Sequence, residues 1–348
     1  MSIAANRFKH TRGNWHRMPL PMRVFHSICL LACAALPWLA APAYAAAAGE
    51  QARIEAACAG GEGFQAGGAH LITVFDGGDF AVGTPALCAW MARAVLAVSG
   101  YYGRFPVAQA RLVLRPVDGS GVRGGTTYGG SSDDQPLIVI PLGRGVTQAQ
   151  LIDDWTLTHE MVHLAVPSVP ENSHWLEEGL ATYVEPIARV QRGELSAARI
   201  WADMLHGMRK GLPDDGDAGL DHTPTWGRTY WGGALFCLLA DVQIRAATNN
   251  RKGLQDALRG VLAAGGSIRS DWPVEKVFAV GDKASGTRVL SELYRRMGNT
   301  PTPGGAELDA LWQALGVQAD GDGVHFDEKA PLAASRRAIT ASPSRSRD

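Results

Sequence analysis

The sequence predicts an α+β protein, strand-leaning in its first half and mainly helical in its second. Between residues 46 and 145, short apolar runs end in glycine-rich turn signals. From 146 to 316, apolar residues instead recur at helical spacing. The length is the third observation: 348 residues, 46% hydrophobic and 19% charged, leave room for a real core in one large or two modest domains. A net charge of -1 supplies no field to draw nucleic acid, which disfavours that class of partner.

The first 45 residues read as a targeting leader outside the fold. Arg7, Lys9, Arg12, Arg17 and Arg23 form a basic region, and an apolar run follows at 24–39. Ala43-Tyr44-Ala45 then has the pattern of a cleavage site, with Met18 or Met22 as alternative starts. The apolar run is short for a membrane span and is broken by Pro37. The expectation is therefore cleavage and export to a bacterial periplasm or beyond, with no stable membrane span in the mature chain. Leu30-Leu31-Ala32-Cys33 also resembles a lipoprotein cleavage box, an alternative disfavoured because the apolar stretch runs on past Cys33. Of the remaining cysteines, Cys58 and Cys88 can form a bridge in an oxidising compartment. Cys237, inside an apolar run, reads as a buried thiol.

In the part at 46–145, Leu71-Ile72-Thr73-Val74-Phe75 runs into Asp76-Gly77-Gly78, a strand followed by a turn. Residues 85–100 carry a helical pattern through Leu87, Trp90, Met91, Ala94, Val95 and Val98. Arg111-Leu112-Val113-Leu114 and Leu137-Ile138-Val139-Ile140 read as strands on either side of a glycine-rich segment at 124–130. That segment is either a surface turn or a place where backbone can approach closely, and no Gly-Lys-Ser/Thr makes it a phosphate loop. From 146 to 316, helices are expected at 147–165, 175–192, 196–210, 229–248, 252–264, 285–297 and 305–315. Asp214-Asp215-Gly216-Asp217 and Asp320-Gly321-Asp322-Gly323 lack the spaced ligands of a calcium loop and read as solvated turns. Residues 317–348 read as a polar, partly disordered tail.

The chemistry concentrates in His159-Glu160-Met161-Val162-His163, an H-E-x-x-H pattern inside the first of those helices. Histidines four apart share one helix face, so both imidazoles can reach one zinc ion. A carboxylate beside the first histidine can take a proton from a water that the metal activates. A catalytic zinc usually has three protein ligands and one open position, and Glu178, a short loop beyond His163, supplies the third. Glu177 is its competitor, otherwise a solvent-facing carboxylate of the helix's first turn. His174 is close in sequence, as a substrate contact or as a capping residue.

H-E-x-x-H followed by Trp175-Leu176-Glu177-Glu178-Gly179-Leu180-Ala181-Thr182-Tyr183 resembles the gluzincins, the thermolysin-like and aminopeptidase-like zinc metallopeptidases. Gly227-Arg228-Thr229-Tyr230-Trp231-Gly232-Gly233-Ala234-Leu235 is similar to the helix start that carries their transition-state tyrosine. The following stretch, to Arg259, looks closest to the glycyl aminopeptidase family. The resemblance spans roughly residues 150–265. It implies a zincin-like fold, a small mixed-sheet lobe and a mainly helical lobe with the metal site on the helices between them. It also implies Glu178 rather than Glu177 as third ligand, Tyr230 as a catalytic residue, and an edge strand that pairs with extended substrate.

Two departures limit the carry-over. No G-A-M-E-N box, whose glutamate holds a substrate's amino terminus in many zinc aminopeptidases, precedes the metal helix; Gly124-Gly125-Thr126-Thr127-Tyr128-Gly129-Gly130 stands there instead. The lysine frequent in the tyrosine motif is replaced by Gly232. The resemblance thus implies zinc-dependent hydrolysis of a peptide or protein substrate, without fixing where along a chain it acts. The other class is a zinc-bearing binding or assembly factor that has lost turnover; the presence of Glu160 speaks against it, since a structural zinc needs no base.

Overall fold

The structure is a computed structural model and describes residues 41–61, 63–77, 79–130 and 134–342. The basic region and apolar run of the expected leader lie outside the described residues, whereas Ala43, Tyr44 and Ala45 stand at the start of helix α1 (Ala41–Ala59). Strand β1 (Phe64–Ala66) turns back antiparallel onto β2 (Ala69–Phe75). Helix α2 (Thr84–Tyr102) crosses over to β3 (Gln109–Val117), parallel to β2. Strands β4 (Thr126–Tyr128) and β5 (Leu137–Gly143) complete a mixed sheet of order β1-β2-β3-β5-β4. In it β5 is parallel to β3, and β4 runs antiparallel along the outer edge.

Side-chain alternation sets the buried face of this sheet. Ala110, Leu112 and Leu114 of β3 and Ile138, Ile140 and Leu142 of β5 point into the core, while Gln109, Arg111 and Arg115 face outward. Cys58 and Cys88 are bridged, tying α1 to α2.

The expected helix at 147–165 is two. Helix α3 (Gln148–Asp153) opens on a Thr147/Gln150 capping box. Asp154 is extended (ψ 135°), and its carboxylate accepts from the Thr156 and Leu157 N–H groups, both at 3.1 Å. It therefore ends one helix and starts the next, α4 (Thr156–His163). Ile152 and Trp155, on either side of the break, are exposed.

Helix α5 (His174–Gln191) follows a short turn, then α6 (Ala197–Gly207). A π-helical turn at Gly227–Gly232 opens α7 (Gly233–Thr248). Helices α8 (Leu254–Ala263), α9 (Val274–Ser285), α10 (Val289–Met297) and α11 (Gly305–Leu315) complete the helical part. Helix α9 escapes the sequence reading because Gly281 lies in its middle; there the missing side chain makes room for Leu290, whose Cδ1 is 2.5 Å from where a Cβ would stand.

Residues 317–342 are packed. Strands β6 (Val317–Asp320) and β7 (Gly323–Phe326) form a hairpin, with the Gly321-Asp322 turn exposed as expected, and helix α12 (Ala333–Thr340) follows. Arg336 is buried: Nη1 donates to the Leu315 and Gly316 carbonyls at 2.8 and 3.0 Å, and the guanidinium covers the Phe326 ring. Composition suggested a solvated tail, but this arginine satisfies the open carbonyls at the end of α11.

Helices α4, α5 and α7 pack side by side on a core of Leu157, Met161, Leu180, Tyr183, Leu235 and Phe236. Helices α5 and α7 meet at a glycine pair. A Cβ on Gly179 would stand 2.4 Å from the Gly233 Cα, and one on Gly233 would stand 2.3 Å from the Trp175 carbonyl oxygen. The helices can cross at this distance only without side chains there, and the crossing brings Glu178 and Tyr230 to the same place. No helix among the described residues is long and apolar enough to cross a membrane.

Candidate functional site

Helix geometry places His159 and His163 one turn apart on α4, with ring centroids 4.9 Å apart. Glu178 enters from α5: its Oε2 lies 3.2 Å from His159 Nε2 and 3.7 Å from His163 Nε2. One ligand atom from each of the three residues lies within 4.8 Å of the others. Ligands at the usual Zn–N and Zn–O lengths in a tetrahedron are roughly 3.3 Å apart. The two-nitrogen, one-oxygen donor set and its spacing therefore fit a zinc ion.

Electrostatics prepare the same set. Burial alone would raise the Glu178 pKa, but the His159 hydrogen bond and the charges of His163, His159 and His174 hold it at about 2. Burial lowers the His163 pKa. It would lower that of His159 too, but the Glu178 contact outweighs it and the net shift is upward. The anionic Glu178 and the lowered His163 pKa suit metal binding, whereas the upward shift of His159 means that it gives up a proton when it ligates.

Glu177 and Glu178 separate cleanly. Glu177 turns back, accepting from the Val169 N–H at 3.1 Å and pairing with His174 Nδ1 at 2.8 Å. The other nitrogen of His174 lies 3.5 Å from Glu178 Oε1, the oxygen turned away from the two ligand histidines. The half-exposed His174 thus buttresses Glu178 from outside, and Glu177 holds its ring.

Glu160 is 7% exposed and is held by strand β4. The Thr127 hydroxyl lies 2.6 Å from Glu160 Oε2 and 2.9 Å from the Glu160 carbonyl oxygen, and donates to them. Gly125 faces the same carboxyl: a Cβ there would stand 2.4 Å from Glu160 Cγ and 2.7 Å from Cδ. The glycine-rich segment is thus a close backbone approach followed by an edge strand. Neither Gly125 nor Thr127 is marked as a site residue by sequence reasoning, because a three-residue strand leaves too short an alternation to read.

Tyr230 lies in the π-helical turn, stacked over the His159 ring at 6.4 Å between centroids and 18° between planes. Burial raises its pKa, and the neighbouring Glu178, to which it hydrogen-bonds, adds to the rise. The turn is anchored by Arg228, which donates to the Gly211 carbonyl at 2.7 Å and meets Asp217 at 2.8 Å. Asp217 is not part of a solvated turn: its side chain is 1% exposed and supplies the buried countercharge. The motif at 214–217 hides this because the arginine partner is distant in sequence.

No protein-family model matches the chain, and no curated protein matches it. Among solved structures, the chain is similar to an aminopeptidase N family protein from Idiomarina loihiensis, with TM-score 0.56 and 14% identity over 78% of this chain and 52% of that one. It also matches an M1 zinc metallopeptidase from Deinococcus radiodurans, with TM-score 0.45 and 15% identity over 68% of this chain and 49% of that one. The chain thus spans about half the length of the solved structures it matches. At this identity the first likeness shows the fold: a mixed-sheet part and a helical part arranged as in that aminopeptidase N family protein.

Proposed function

We propose that the protein is an exported, zinc-dependent metallopeptidase that hydrolyses bonds of a peptide or protein substrate. The supporting observation is the convergence of His159, His163 and Glu178 on one point of the helix that also carries Glu160. His159, His163 and Glu178 would hold a zinc ion, which would supply a Lewis acid for a water and for a substrate carbonyl. Glu160, held by Thr127, accepts the proton of the attacking water and hands it to the amine as the C–N bond breaks. The Tyr230 hydroxyl remains protonated and, leaving its hydrogen bond to Glu178, donates to the carbonyl oxygen as charge builds on it. The outer edge of β4 offers backbone groups to an extended chain. The leader pattern and the Cys58–Cys88 bridge support export, and the fold likeness to an aminopeptidase N family protein agrees with peptide hydrolysis.

The test joins metal analysis to digestion of a broad peptide library, with and without chelator. Wild type should hold one zinc per chain and cut the library, and chelation should stop it. Glu160→Gln should keep the zinc and lose about 10²–10⁴ in turnover. Full turnover in that variant would remove Glu160 as the base; a zinc-free wild type after loading would remove the metal assignment.

A further inference from the structure

Two tryptophans stand open to solvent beside the site, whereas most large apolar side chains among the described residues are buried. Among the described residues, Tyr128, Ile152, Trp155 and Trp226 are the exposed large hydrophobics, each a little over half exposed. Tyr128 alternates with Thr127 and so leaves the strand on the face turned away from Glu160. Trp155 and Trp226 instead join the reactive groups ring to ring. Trp155 precedes His159 by one turn and meets its ring edge-on at 5.2 Å. Trp226 stacks on Tyr230 at 5.9 Å, and Tyr230 stacks over His159 at 6.4 Å. The series Trp155, His159, Tyr230, Trp226 therefore has a metal ligand and the candidate oxyanion donor in its middle.

Both indoles are held by the backbone beneath them. The Asp154 break turns Trp155 out of the α3–α4 line, and that carboxylate is itself fixed by the Trp90 indole N–H at 3.1 Å. Trp226 directly precedes the π-helical turn that Arg228 and Asp217 anchor. Indoles kept half in water on anchored backbone form a preorganised apolar surface. That surface adjoins His159 and Tyr230.

We infer that Trp155 and Trp226 are the walls of an apolar recognition site. Its occupant is a polypeptide segment with a large apolar side chain, aromatic or branched aliphatic, next to the bond that is cut. This rests on the peptidase reading, and the experiment separates the two. Two hexapeptides, acetylated and amidated at their ends, carry Leu-Phe or Gly-Ser between alanine pairs. Each is titrated calorimetrically into the zinc-loaded Glu160→Gln protein, in which Trp155 and Trp226 are intact. The Leu-Phe peptide binds at least 10-fold tighter. In that background Trp155→Ala and Trp226→Ala each remove most of the difference, with zinc content and Tm unchanged.

Equal affinities, or discrimination that survives both substitutions, overturn the inference. So does a wild-type library digest without apolar residues enriched at the cut bonds, a result that leaves the peptidase reading standing. Discrimination by Glu160→Gln together with no cleavage by wild type has the opposite effect: the tryptophan site for apolar side chains is upheld, while the peptidase reading fails and with it the placement beside a cut bond. A second copy of the chain is the rival occupant. It would show in sedimentation as a dimer dissolved by the double tryptophan variant, with both peptides binding alike, and that result also overturns the inference.

Discussion

Replacing Gly125 by alanine is the sharpest perturbation of the site, because one methyl group meets the body of one side chain. The added Cβ would stand 2.4 Å from Glu160 Cγ and 2.7 Å from its Cδ and Oε1, whereas ordinary contact begins near 3.4 Å. The backbone at 125 lies outside the left-handed region, so alanine suits the main chain and the clash is the whole effect. Either the carboxylate retreats by about 1 Å, or the β4 edge lifts and the 2.6 Å contact from Thr127 is lost. A misplacement of about 1 Å in a reacting group costs on the order of 100-fold in rate. Overpacking of this kind costs about 1–3 kcal/mol of stability. Gly125→Ala should therefore fold, bind zinc as wild type does, and lose about 100-fold in kcat on any library peptide that wild type cuts. Zinc is read by metal analysis, folding by thermal melting, and kcat by mass-spectrometric progress curves. A variant within threefold of wild-type kcat would refute the contact between β4 and Glu160 as a positioning device.

Three further predictions follow from other contacts. Tyr230→Phe removes one donor aimed at the developing oxyanion and should lower kcat by about 100-fold with bound zinc unchanged; unchanged kinetics would return the ring to a packing role. Asp217→Asn leaves the Arg228 guanidinium, 3% exposed, without its countercharge. The cost should be about 3 kcal/mol, read as a lower urea midpoint. An unchanged midpoint would show that the pair does not hold the turn. Cys88→Ser opens a bridge between residues 30 apart in sequence and should cost about 3–4 kcal/mol in chemical denaturation; equal stability of the reduced and oxidised wild type would contradict this.

Much of the site was legible before any fold was known, because metal ligation on a helix is a local matter. The i,i+4 spacing of His159 and His163 sets their geometry within one turn of backbone, and Glu160 follows from its place between them. Glu178 rather than Glu177 needed the resemblance, and the structure brings Glu178 to the histidines while Glu177 caps the Val169 N–H. The main helices showed in their periodicity. Asp154 is different: its carboxylate divides one apolar pattern into two helices, a competition between side chain and backbone that periodicity does not register. Composition alone makes the segment around Arg336 a polar tail and that around Asp217 a solvated turn, because their partners lie elsewhere in the chain or on open carbonyls.

By itself the sequence determined the local patterns: two imidazoles and a carboxylate on one helix, a second acidic helix after a short turn, and a strand-leaning part before them. Only the tertiary structure decided what stands opposite those groups. Gly179 meets Gly233 and lets α5 and α7 cross closely enough to join Glu178 to Tyr230. Gly125 and Thr127, at the edge strand, lie against Glu160, Trp155 packs on His159 and Trp226 on Tyr230. The physical reason is the range of the interactions. Helix spacing is set by hydrogen bonds four residues long, but a carboxylate held by a strand 33 residues away depends on how the sheet edge packs on the helix, which no local pattern encodes.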